Sequence, residues 1–114
     1  MFKPNMAEML KQVQKIQEEM ARVQEALGEM TVEGSAGGGI VTVTVNGKQQ
    51  IRGVKIDPEI LKSGDVEMLE DLIVAATNQA LEKSQEMAKE EFQKISGGML
   101  GNLFPGLKFP GLGF

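Results

Sequence analysis

Histidine, cysteine, tryptophan and tyrosine are all absent from this chain, so the side chains left for chemistry are carboxylates, lysines, arginines and a few hydroxyls. The commonest general base, the usual zinc ligands and the familiar nucleophile–base pairs are thereby removed, and no disulfide can form. Three groupings of the remaining residues are worth testing. Asp57, Glu59 and Asp65 are three acids in a short span, but without a glycine-centred twelve-residue loop they do not match a calcium site, and helix capping accounts for two of them. Gly37-Gly38-Gly39 invites comparison with a phosphate-binding loop. No lysine-serine or lysine-threonine follows it and no helix comes next, so it reads as a tight bend or bulge at the start of a strand. The third grouping is cationic: Lys3, Lys11, Lys15 and Arg22 stand against Glu8, Glu18 and Glu19, net +1 over residues 1–22. Residues 65–95, with three lysines and eight acids, are net −5, and the whole chain is −4. An anionic partner is therefore expected to meet the first helix before the last, although the acidic total argues against a simple electrostatic nucleic-acid binder. No catalytic constellation, cofactor motif, metal site or small-molecule substrate is expected.

The elements that must position these residues centre on Gly37 to Pro58. Six β-branched residues in succession, Ile40 to Val45, favour a pleated strand with Val41, Val43 and Val45 on one face. Asn46-Gly47 predicts a type I′ hairpin turn and a return strand over about 48–56. Ile51 and Val54 are three apart, so a regular strand cannot put them on one face. A bulge near Arg52-Gly53 resets the register and brings Val54 and Ile56 beside Val41 and Val43. Thr31 to Ala36 is predicted to be a preceding strand, antiparallel to the second.

Ahead of the sheet, Asn5 and Glu8 suit a helix start, and Gly28 offers a left-handed stop. From that start Met9, Val13, Ile16, Met20, Val23, Leu27 and Met30 step by four and three, an a/d heptad seam. That seam fits its own sheet, the last helix or a partner subunit's helix. Asp57-Pro58 predicts a short helical turn, Ser63-Gly64 a break, and Asp65 the cap of a long helix running to about Ile95. Its apolar face is continuous through Leu81 and thins at Lys83-Ser84-Gln85. Asn78 sits in the half that reads as buried, where it is expected to satisfy a backbone group or a partner chain.

Residues 1–95 are thus expected to form a single α+β dimerising domain. It comprises a long N-terminal helix, a three-stranded antiparallel sheet, a short helical turn and a long C-terminal helix (α-β-β-β-α). Residues 96–114 form a glycine/phenylalanine/proline-rich tail in which Phe104-Pro105-Gly106-Leu107 recurs as Phe109-Pro110-Gly111-Leu112. The tail is either disordered or an apolar repeat that docks in a groove. There is no run of eighteen apolar residues and no signal-like N-terminus, so a soluble cytoplasmic protein without membrane contact is expected.

Val32-Glu33-Gly34-Ser35-Ala36-Gly37-Gly38-Gly39, then Val41 to Gly47, Ile56-Asp57-Pro58-Glu59, Met68 to Ile73 and Asn78-Gln79-Ala80 occur in this order. Together with the heptad helix and glycine-rich tail, the pattern resembles the YbaB/EbfC family of bacterial nucleoid-associated proteins across essentially the whole chain. The resemblance implies a homodimer joined through its strand-bearing centre, with helices projecting like tweezer arms. It also implies binding of double-stranded DNA with little or no sequence preference, and a part in chromosome organisation or gene expression at the nucleoid. The family's DNA contacts lie on the first and last helices, which here offer Lys3, Lys11, Lys15, Arg22, Lys89 and Lys94. Lys11, Lys15 and Arg22, spaced four and seven, share one side of the first helix, interrupted by Glu18 and Glu19. Weak binding fits that pattern. A dimeric scaffold or holdase working through its helix arms is the other reading, with five of the eight methionines in residues 1–30.

Overall fold

The computed structural model describes residues 6–95; Lys3, the expected cap Asn5 and the tail from Ser96 to Phe114 lie outside the described residues. The elements run α1 (Met6–Glu29), β1 (Thr31–Ala36), β2 (Val41–Asn46), β3 (Ile51–Ile56), α2 (Pro58–Ser63) and α3 (Val66–Ile95), the order the sequence predicts. Two compact units are distinguished: residues 27–88, which hold the sheet, and the helical segments 6–26 and 89–95.

The sheet is antiparallel in the order β1-β2-β3. Val41, Val43 and Val45 are fully buried and, with Ala76 and Ala80 of α3, form the core, ringed by Ala36, Ile40, Ile56, Leu69, Leu72, Ile73 and Leu81. Val43 pairs with Val54 and Val41 with Ile56, while Thr44 opposes Gly53 and Val45 opposes Ile51, so Arg52 is the extra residue of the expected bulge. The connection from β1 to β2 runs through Gly37, Gly38 and Gly39 at φ of 65°, 68° and 98°, the left-handed region that glycine enters without a Cβ clash.

The long helix lies over β1 and β2. Its side chains also occupy the free edge of β1: the Ser35 N–H donates to Gln79 Oε1 at 2.8 Å, and Lys83 Nζ donates to the Glu33 carbonyl at 2.9 Å. Ser84, read from sequence as a thinning of the apolar stripe, is fully buried and donates to the Asn46 carbonyl at 2.7 Å. A small hydroxyl belongs there because the last carbonyl of β2 needs a donor beneath the helix. Asn78, expected in the buried half, is exposed; it lies on the solvent side of a stripe that tracks 73, 76, 80 and 84. On β3 the helix gives little cover, leaving Ile51 54% and Val54 50% exposed.

The hairpin turn differs from its prediction. Neither Asn46 nor Gly47 has positive φ; the left-handed residue is Gln49, at φ 63°. The loop is three residues long, closed by Asn46 N–H to Gln50 O at 2.9 Å and Gln49 N–H to Asn46 O at 3.0 Å, a known alternative to the two-residue hairpin. Tertiary packing decides the matter. Gly47 N–H donates to Leu27 O at 2.8 Å, and a Cβ on Gly47 would stand 2.6 Å from Leu27 Cδ2 and 2.8 Å from its carbonyl oxygen. The buried Asn46 amide ties the loop together: Oδ1 accepts from Lys48 N–H and Gln50 N–H at 3.0 and 2.9 Å, while Nδ2 donates to Gly28 O and Gln50 Oε1 at 3.2 and 2.8 Å. Gly28 is accordingly not the expected left-handed stop but part of the last turn of α1, which ends at Glu29.

Gly47→Ala is expected to cost about 1–3 kcal/mol through overpacking against Leu27. Gln49→Gly is expected to stabilise by up to about 1 kcal/mol by relieving the left-handed side chain. Urea midpoints check both; a neutral Gly47→Ala would disprove the close approach to Leu27.

Candidate nucleic-acid interface

On α1 the heptad seam and the cations occupy opposite sides. At 3.6 residues per turn, Lys11, Lys15 and Arg22 fall within an arc of about 40°, centred well over 90° from the Met9–Val13–Ile16–Met20 seam. All three cations are exposed. Seam residues Met9, Val13 and Met20 are themselves 47%, 46% and 44% exposed, whereas Ile16 and Leu27 are buried. A helix could therefore cover the seam without touching the cations.

Ion pairing separates the candidates. Arg22 pairs with Glu19 at 2.7 Å, and Lys94 pairs with Glu91. The hydrogen bond to Glu91, then its charge, holds the Lys94 pKa above the ordinary lysine value. No described carboxylate lies within ion-pairing distance of Lys11, Lys15 or Lys89. Exposed pairs such as Arg22–Glu19 contribute little and exchange readily for a phosphate. Lys89 and Lys94 are five residues apart on α3, about 140° around the helix, so a ligand lying along one side of α3 meets one of them and not both. Lys3 lies outside the described residues. By the same helical arithmetic all five glutamates of α1, Glu8, Glu18, Glu19, Glu25 and Glu29, share the cationic side, which dilutes its field.

The carboxylates considered for a metal are occupied individually. Asp57 accepts from Glu59 N–H at 3.0 Å, Asp65 accepts from Met68 N–H at 3.0 Å, and Glu59 pairs with Lys62 at 3.2 Å. No group of three potential metal ligands converges among the described residues. An open depression of about 490 Å³ is lined by Asp65, Glu67, Met68, Asp71, Leu72 and Ala75; its three carboxylates repel an anion, so it is no place for DNA. No helix among the described residues is long and apolar enough to cross a membrane.

A further set of cations escaped the helix-centred sequence reading. Lys48, Arg52 and Lys55 are exposed on the β2–β3 hairpin, with no described carboxylate in ion-pairing range. The signal was available in the chain, since residues 34–56 contain these three cations and no acid.

In chain order a long helix, a three-stranded antiparallel sheet, a short helix and a second long helix define an α+β fold, and exposed cations line one side of the first helix. The chain belongs to the YbaB/EbfC DNA-binding family, which matches residues 1–99. It is 55% identical over 103 residues to a nucleoid-associated protein of Syntrophobacter fumaroxidans, covering 90% of this chain and 91% of that one. With a nucleoid-associated protein of Moorella thermoacetica it shares 57% over 95 residues, covering 83% and 91% respectively. Its fold is similar to the crystal structure of an uncharacterised protein from Helicobacter pylori, with a TM-score of 0.58 at 23% identity over 68% of this chain and 90% of that one. The family is one of DNA-binding proteins.

Proposed function

We propose that this protein is a homodimeric, nucleoid-associated protein. In this reading it binds double-stranded DNA weakly and with little or no sequence specificity, and thereby acts on chromosome organisation or gene expression. Residues 1–95 form the dimerising body and 96–114 a separate tail. The observation that carries the reading is the stripe of Lys11, Lys15 and Arg22 on the side of α1 opposite its apolar seam, with Lys11 and Lys15 unpaired. Lys89 and Lys94 offer secondary contacts, and Lys3 extends the cationic end of the chain. Phosphate contacts of this kind position a protein on the duplex without reading bases. A second copy is the occupant of two uncovered apolar surfaces, the Met9–Val13–Met20 seam of α1 and the Ile51–Val54 flank of β3. A heptad seam is a helix-pairing device.

Lys11, Lys15 and Arg22, present twice in a dimer, release about three or four counterions, giving a slope of about −3 in log affinity against log salt. Changing all three to glutamine is expected to weaken retention of every DNA sequence alike, flatten that slope and leave the melting temperature unmoved. Unaltered retention would remove α1 as the DNA face. The scaffold or holdase reading rests on the exposed methionines of α1, Met6 at 75% and Met9 and Met20 in the seam, since flexible thioether surfaces adapt to varied partners. It would take the lead if wild-type protein failed to retain DNA at low salt.

A further inference from the structure

Strand β3 puts two cations beside the polar face of the sheet, the face away from the valines that pack on α3. Residues directly opposite in an antiparallel ladder share a face. Ser35, Thr42 and Lys55 therefore form one row, and Glu33, Thr44 and Gly53 the next, on the face away from the buried valines. Thr42 and Thr44 are half-buried between their neighbours, while Ser35, Gly53 and Lys55 are exposed. The bulge at Arg52 re-aims that side chain out of the regular alternation, and Lys48 follows from the turn. Glu33 is the one carboxylate in these rows, two strands and so roughly 10 Å from Gly53.

Gly53 supplies an independent observation. Its φ is not positive, and a Cβ built on it meets nothing within 4 Å. Neither backbone strain nor packing among the described residues demands a glycine there. A strand glycine over open space leaves bare backbone where another molecule can approach closely, and here that bare spot lies between Arg52 and Lys55.

We infer that the open face of the hairpin, through Lys48, Arg52 and Lys55 with the hydroxyls of Thr42 and Thr44, is a second phosphate-binding surface for DNA, separate from the stripe on α1. Arginine gives a bidentate fork for a phosphate and lysine a mobile point charge. Threonine hydroxyls add donors of the kind that hold a duplex by its backbone. Weak binding by a net-acidic chain then arises from two cationic surfaces and not from α1 alone. This inference rests on the proposed DNA reading, and the test separates the two.

The experiment compares wild-type protein, a Lys48→Gln/Arg52→Gln/Lys55→Gln variant and the α1 triple variant on one random-sequence duplex across a salt series. Sedimentation and melting temperature serve as controls for assembly and fold. The hairpin variant is expected to lose roughly tenfold in affinity at low salt, with a slope shallower by about 0.9 for each phosphate contact removed. Full affinity and slope in the hairpin variant, alongside loss in the α1 variant, would overturn the second surface and leave DNA binding intact. No binding by wild-type protein would overturn both. In case the triple variant unfolds, amide shifts of wild-type protein on titration with the duplex give an independent readout. Movement of Thr42, Gly53 and Lys55 supports the surface, and silence there while Lys11 and Lys15 move refutes it.

Discussion

Replacing Gly34 with valine is expected to abolish the folded state, and even Gly34→Ala is expected to cost about 3 kcal/mol or more. Gly34 stands in the middle of β1 opposite Val43, facing α3. A Cβ built there overlaps the Ala76 carbonyl oxygen and the Ala80 nitrogen, and comes within 2.9 Å of Ala80 Cα. These are backbone atoms of a helix whose own residues at the contact are alanines, both fully buried. Nothing flexible is available to give way. To admit a methyl, α3 would have to lift off the strand, losing the Gln79–Ser35 and Lys83–Glu33 hydrogen bonds along the β1 edge and the buried Ser84–Asn46 bond. Total stability of a small domain is itself only about 5–15 kcal/mol, so a branched side chain here removes most of it. Because the clash is with backbone, Ala80→Gly in the Gly34→Ala background is expected not to restore the urea midpoint. An unchanged midpoint for Gly34→Ala, or rescue by Ala80→Gly, would show that the helix does not sit this close.

Local pattern determined what was legible in the sequence. The β-branched run from Ile40 to Val45, the misfit spacing of Ile51 and Val54, and the capping aspartates at 57 and 65 are signals whose physics acts within a few residues. They located β2, the bulge at Arg52 and the starts of α2 and α3. Where tertiary contacts set the geometry, the local signal misled. Asn46-Gly47 reads as a two-residue turn, yet Gly47 is pressed against Leu27 and the left-handed residue moves to Gln49. Ser84 looks polar in isolation and becomes a core residue because the Asn46 carbonyl lies beneath it. Gly28 ends nothing, since its carbonyl is taken by the Asn46 amide. The cationic stripe on α1 was legible from spacing alone, but spacing could not tell the unpaired Lys11 and Lys15 from Arg22, which is bound to Glu19. The hairpin cations carry no helical spacing to mark them as one surface, although residues 34–56 hold no acid to offset them.

Val54→Asp is expected to convert the proposed dimer into a monomer. The two edges of the sheet are unequal. Gln79 and Lys83 occupy the hydrogen-bonding groups of β1, whereas no described residue hydrogen-bonds along the outer edge of β3. An exposed strand edge invites pairing with another chain, and β3 carries the half-exposed Val54 and Ile51 on the same side as the core valines. Twofold pairing there places each Val54 in a shared apolar contact, so one substitution acts twice. An aspartate buried without a partner costs several kcal/mol, enough to move a micromolar equilibrium to the free chain. In the separate chain Val54 is already half in water, and the monomer's own core is left alone. Met68, on the flank of α3 that carries Leu72 toward Gly37, is 44% exposed, so Met68→Asp is the matched control expected to leave the dimer intact. Sedimentation equilibrium at micromolar concentration should give twice the 12.4 kDa chain mass for wild type and Met68→Asp. Val54→Asp should sediment at the single-chain mass or melt at a temperature that rises with concentration. A folded wild-type monomer, or a Val54→Asp protein that remains dimeric, would show that β3 is not the interface.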